Sequence, residues 1–251
     1  MKSFTDIFIR HPVLAAVVNL VIVLVGWRAL TSLPVQQYPK VESASDIDRA
    51  CAAIDAAGAP HLPVQALIES PAAVHRAFDI AAHPRVQSLS FGLMDFVSAH
   101  GGAIPGEGMG IEGQFTHPLV VRAKLEIASA CHAHGKVPSH GVVTEFRDSA
   151  ALGRAARRAA RELGYTRMWS IHPDQIRPIL EAFAPDASEI ETAARILADA
   201  QRAGWAPISH GGKLEDRASY RYHWQVLERA HRTGRLLPTE AQAWFAPAPR
   251  A

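Results

Sequence analysis

The sequence predicts an α/β fold, a parallel sheet whose strands alternate with helices, preceded by one long apolar helix. Two observations carry this. From about Lys40 onward, apolar runs of four to six residues alternate with amphipathic patterns of eleven residues or more, the signature of βαβ units. The first forty residues have another composition, with fifteen consecutive uncharged residues from Val13 to Trp27.

That N-terminal segment comes first. Extended to Leu33, the apolar stretch contains one cation, Arg28. As a helix it would be roughly 31 Å long, the thickness of a bilayer core. Arg28 lies near one end, where its stem can carry the charge to the interface, and Trp27 suits the same level. No small-residue cleavage site follows in Arg28-Ala29-Leu30-Thr31-Ser32-Leu33-Pro34, which speaks against a cleaved signal peptide. A buried helix of a soluble domain is the other competitor.

Beyond Lys40, strands are expected at Val64 to Ile68, Val86 to Phe91, Lys136 to Ser139 and Met168 to Ile171. Helical patterns lie between and after them, at Pro71 to Ala82, Pro118 to His134, Ser149 to Leu163 and Pro173 to Phe183. Pro71, Pro118 and Pro173 fall at helix starts, where a missing N–H is harmless. Two more helices, Ala187 to Ala203 and Asp216 to Thr233, flank a turn at Gly211-Gly212. Residues 236–251 are expected to form a tail, its Ala-Pro repeat at 246–249 without regular structure.

Composition narrows the function. The formal charge is +2 and the basic residues are scattered, so no basic face for nucleic acid is expected. Cys51 and Cys131 stand far apart without ligand spacing, which fits two reduced or buried thiols. His132 and His134 sit two apart on a helix, pointing about 200° from each other, and cannot share a zinc ion. No GxSxG, P-loop or GxGxxG is present.

Two acids stand at strand ends. Glu69 closes Val64-Gln65-Ala66-Leu67-Ile68-Glu69, and Asp95 follows Phe91-Gly92-Leu93-Met94. Ligands bind at the carboxyl ends of strands in parallel α/β folds. Two carboxylates meeting there repel unless a cation lies between them, and few oxygen ligands suit Mg²⁺. The competing reading is a helix cap or an ion-paired acid at each corner.

Two resemblances extend this picture. Phe4-Thr5-Asp6-Ile7-Phe8-Ile9-Arg10-His11-Pro12, the apolar run, and Leu33-Pro34-Val35-Gln36-Gln37-Tyr38-Pro39 resemble the start of RND-type efflux transporters. That implies a first membrane helix and membrane association through residues 13–33. No later stretch is long and apolar enough to span, so transport is not expected.

The second resemblance runs from about residue 40 to 235. Ala66-Leu67-Ile68-Glu69-Ser70-Pro71 and Phe91-Gly92-Leu93-Met94-Asp95-Phe96 are similar to the two metal-binding motifs of the HpcH/HpaI aldolase and citrate lyase beta family. The likeness continues through Gly135 to His140, Ser170 to Gln175 and Gly212 to Asp216. It implies Mg²⁺ on Glu69 and Asp95, and a carbon–carbon lyase acting on a CoA thioester of the citryl-, malyl- or citramalyl-CoA kind. Thioester hydrolysis is the near variant. It also implies a homo-oligomer in a cytoplasmic setting, with Asp216 as the catalytic acid or base of a neighbouring subunit's site. Sequence alone favours a helix N-cap for Asp216. His140 and His172, at strand ends, would lie near substrate, with His172 shaping the site.

The implied fold is then a partial (β/α) TIM-type barrel lacking its first strands, preceded by one transmembrane-type helix. The family's early acidic motif and its substrate arginine have no counterpart before Lys40. The junction falls at Tyr38-Pro39-Lys40-Val41-Glu42-Ser43, as in a fusion of two unrelated genes. Three functions follow: an active lyase, a non-catalytic fusion or truncated product, and a membrane-anchored interaction module.

Overall fold

A computed structural model describes residues 41–145 and 147–246. The segment at 13–33 and the last residues of the tail lie outside them. Among the described residues no helix is long and apolar enough to cross a membrane.

The chain opens with α1 (Ala44–Ala56), started by a capping box in which Asp46 returns bonds to the backbone N–H groups of Glu42 and Ser43. Four strands follow: β1 (Val64–Ile68), β2 (Val86–Phe91), β3 (Val137–His140) and β4 (Arg167–Met168). They pair in parallel in the order β1-β2-β3-β4. The crossovers are α2 (Pro71–His75), α3 (Ala77–Ala82), α4 (Leu93–Ser98), α5 (Pro118–Ala133) and α6 (Ser149–Glu162). Two 3₁₀ turns, Gly106–Met109 and Gly113–Phe115, lie between α4 and α5.

The strand alternation separates two faces. Ala66, Ile68, Leu89 and Phe91 pack into a core with Ile47, Ile80, Val120 and Ile127. On the opposite face, Leu67, Ser90, Ser139 and Arg167 share a register row. There the Arg167 guanidinium donates to Ser88 and, at 3.4 Å, to Gln65. A second core around Phe115, Leu152, Tyr165 and Ile179 joins α6 to α7 (Ile176–Phe183).

The C-terminal part has a core of its own. Helices α8 (Ala187–Arg202) and α9 (Arg217–Arg232) bury Ile190, Leu197, Tyr220 and Leu227 together. The expected glycine turn is the tip of an antiparallel hairpin, β5 (Ile208–His210) with β6 (Lys213–Glu215), and Gly211 and Gly212 adopt the positive φ it needs. Residues assigned to a tail continue this packing. Leu237 and Ala241 are buried in the same cluster, Ala241 within the short α10 (Thr239–Gln242).

Other departures from expectation are local. The pattern at 71–82 is two helices broken at Arg76, which lets Val74 and Ile80 both face the core. Strand β4 is two residues long because the chain turns away after Trp169 N donates to His140 O. The helical pattern expected from Pro173 begins as a 3₁₀ turn, Pro173–Gln175. The short helix bearing Asp95 and the first helix at 44–56 lack a strong apolar periodicity and escaped the sequence reading.

Candidate active site

Parallel pairing decides where the two acids lie. Ile68 is the register partner of Phe91, and Gly92 N donates to Ile68 O at 2.9 Å. Glu69, one residue beyond β1, therefore stands beside Gly92, one residue beyond β2. A Cβ on Gly92 would come within 2.7 Å of Glu69 Cβ and 3.1 Å of its Oε2. The absent side chain is what seats the half-buried Glu69 against the next strand's turn.

Asp95 occupies the first turn of α4, exposed, and lines a cleft of about 280 Å³. Leu67, Phe91, Trp169 and Ile171 give that cleft apolar walls, and Gln114 and Glu145 add polar groups. Gln175, fully buried, ties two of its loops together: Oε1 accepts from Ile171 N and Nε2 donates to Val143 O, each at 2.9 Å. Gly141 permits the close approach of the β3 loop, since a Cβ there would meet Phe91 O at 2.7 Å.

The structure thus brings Glu69 and the Asp95 turn to the same end of adjacent strands, with Asp95 but not Glu69 among the residues that line the cleft. Among the described residues no group of three or more His, Cys, Asp or Glu side chains forms a cage for a metal. Two carboxylates leave most of an octahedron to water and substrate, which is how Mg²⁺ is commonly held.

Asp216 is not among the residues lining this cleft. It is the N-cap of α9, its Oδ1 accepting from Ala218 N at 2.9 Å and Ser219 N at 3.4 Å. His172 likewise caps a turn, its Nδ1 accepting from Asp174 N at 3.2 Å. His132 bonds Gly164 O at 2.8 Å.

His140 departs most from expectation. It is 1% exposed and packed between the sheet and α5, stacked on Phe115 and edge-on to Tyr165. Its Nε2 lies 2.9 Å from Lys124 Nζ, and Lys124 Nζ lies 2.8 Å from Gln114 Oε1. Burial pushes the His140 imidazole well below its usual pKa, with Lys124 adding to the effect. Burial also holds the Lys124 ammonium well below the usual lysine range, with Arg158 contributing. The sequence marks only one member of this cluster: Lys124 interrupts the apolar row Val120, Ile127, Cys131 at helical spacing, and nothing in the spacing points to its partners.

A parallel α/β array with a cleft at the carboxyl ends of its strands is the arrangement in which barrel enzymes place their active sites. Residues 33–173 match the HpcH/HpaI aldolase/citrate lyase family, and the chain belongs to it. The match begins at Leu33, ahead of the boundary placed at Lys40.

L-malyl-CoA/β-methylmalyl-CoA lyase from Rhodobacter capsulatus is 32% identical over 209 residues, covering 76% of this chain and 65% of the relative. A (3S)-malyl-CoA thioesterase from Cereibacter sphaeroides is 29% identical over 195 residues, covering 76% and 63%. Among solved structures, a citrate lyase from Burkholderia xenovorans is 54% identical with TM-score 0.73, covering 83% of this chain and 67% of that one. CitE of Mycobacterium tuberculosis, in complex with magnesium, acetoacetate and coenzyme A, has TM-score 0.63 at 24% identity and covers 77% and 67%. That likeness bears on the fold alone. The chain spans about two-thirds of the length of these relatives.

Proposed function

We propose that the chain carries the metal-binding portion of a Mg²⁺-dependent carbon–carbon lyase acting on a CoA thioester of the malyl-, citramalyl- or citryl-CoA kind. The pairing of Ile68 with Phe91, which seats Glu69 beside Gly92 at the end of the strand that leads into the Asp95 turn, supports this reading. The likeness to a malyl-CoA lyase at 32% identity supports the substrate class.

Glu69 and Asp95 would hold the ion, which as a Lewis acid would grip the hydroxy- or keto-acid end and stabilise charge on the enolate oxygen. The protein's own groups do the rest. Gly92 keeps Glu69 seated, Gln175 fixes the walls, and Phe91, Trp169 and Ile171 exclude water from the reacting end. Asp216, which does not line this cleft, would serve as acid or base for a second copy of the chain.

Malyl-CoA supplied with and without Mg²⁺ tests this. Release of acetyl-CoA and glyoxylate that needs Mg²⁺ and vanishes in Asp95→Ala supports the lyase. Release of free CoA and malate instead turns the reading toward thioester hydrolysis. A folded protein that binds Mn²⁺ and turns over nothing supports the non-catalytic alternative. Carbonate extraction of a membrane fraction tests attachment through residues 13–33.

A further inference from the structure

We infer that Gln114 is a ligand-binding residue of the cleft, presenting its side-chain amide N–H groups to an oxyanion of the acid substrate, with Lys124 as its positioning residue. The inference rests on the reading that this cleft takes the acid end of a CoA ester beside a divalent ion.

Gln114 is 3% exposed and lines the same cleft as Asp95. Its backbone is held in place from both sides. Gln114 N donates to Gly110 O at 3.1 Å. Gly113 packs so tightly on the preceding turn that a Cβ would fall 1.8 Å from Glu107 O.

The amide's orientation follows from the groups behind it. His140 Nδ1 lies 3.0 Å from Gly141 O, which can only accept, so Nδ1 carries the proton. His140 Nε2 is then an acceptor, and Lys124 Nζ, at 2.9 Å, donates to it. A second N–H of Lys124 meets Gln114 at 2.8 Å, and the amine also sits 4.1 Å from the centroid of the Phe115 ring. A donating amine selects the glutamine oxygen, and the amide nitrogen is left on the other side of the planar group. Either protonation state of Lys124 retains these two donors.

No described residue accepts a hydrogen bond from Gln114 Nε2. Gln114 Nε2 is not among the fully enclosed side-chain atoms that lack a partner, so the donor opens on the cleft, where a ligand oxygen can accept from it in place of water. Lys124 has no carboxylate partner among the described residues, and Arg158, 4.5 Å over the centroid of the Phe115 ring, is itself paired with Glu112 and Glu162, so the groups behind Gln114 act as hydrogen-bond donors and not as a net charge. The carboxylates of Asp95 and Glu145 also face the cleft, so an anion enters with the divalent ion, not alone.

The test uses the full chain with Mn²⁺ as the metal probe and oxalate as a planar dianion resembling a 2-oxo acid. Gln114→Met is expected to weaken oxalate binding about tenfold or more while Mn²⁺ affinity stays unchanged. Gln114→Glu, which replaces the donor by an acceptor, is expected to lose at least as much. With diamagnetic Mg²⁺ in place of Mn²⁺, the wild-type Gln114 side-chain ¹⁵N amide signal is expected to move on oxalate addition, and its position is expected to differ in Lys124→Met. That signal decides the matter even where a substitution unfolds the protein. Unchanged oxalate affinity in a Gln114→Met protein that binds Mn²⁺ normally, or an amide signal indifferent to oxalate, overturns the assignment. A wild type that binds no Mn²⁺ removes the metal reading and this inference with it, an outcome distinct from the other two.

Discussion

The side chain of Glu69 lies against Gly92, at a point where even one methyl group would come within 2.7 Å of its Cβ. This contact joins the ends of two neighbouring strands. Gly92 has ordinary negative φ, so its role is steric and a substitution there is unstrained in the backbone.

Gly92→Ala should therefore leave the fold intact and push Glu69 out of place. Mn²⁺ affinity is expected to fall about tenfold or more while the far-ultraviolet spectrum is unchanged. Titration followed by electron paramagnetic resonance checks this. Unaltered affinity would show that Glu69 does not depend on that seat.

The Lys124–His140 pair makes stability depend on pH. Both groups have folded-state pKa values below their unfolded ones. Between the two values the unfolded chain binds more protons, so stability rises with pH through that window. For His140 the window lies below about 6.5, and for Lys124 below about 10.5. Urea midpoints are expected to climb from pH 5 to pH 8, and the Lys124→Met protein to climb less steeply. Equal slopes for the two proteins would contradict the burial argument.

Asp216 offers a clean separation of two roles. Asparagine caps a helix about as well as aspartate, whereas alanine costs about 1 kcal/mol. Asp216→Asn should keep the stability of the parent and Asp216→Ala should lose about that amount, read from urea unfolding. Loss of turnover in the asparagine variant would assign the carboxylate to chemistry. Full turnover there would leave it a cap.

Cys131 should be inert in the folded protein. It is fully buried, and burial pushes its thiol up to about 11. Iodoacetamide at pH 8 is expected to label it only after unfolding. Labelling of the native protein at the rate of a free thiol would mean that this core opens readily.

Much of the site was legible because it is written in short contiguous stretches. Short apolar runs at Val64–Ile68 and Val86–Phe91 mark buried strands, and the acids that follow them fall on the end where ligands bind. The Asp216 cap was legible for the same reason, since its acceptor and donors are two or three residues apart. Lys124 with His140 and Gln114 was not. The three are separated by ten and sixteen residues and meet only through packing of a helix on a sheet.

The sequence by itself determined the family, the order of strand and helix, and the two acids at strand ends, because these depend on local periodicity and contiguous motifs. Tertiary structure alone decided that Glu69 rests on Gly92, that His140 turns away from the cleft into the core, and that Gln114 is oriented by a buried lysine. Those outcomes depend on strand register and on which face each side chain takes, and a register is settled only when distant segments pack together.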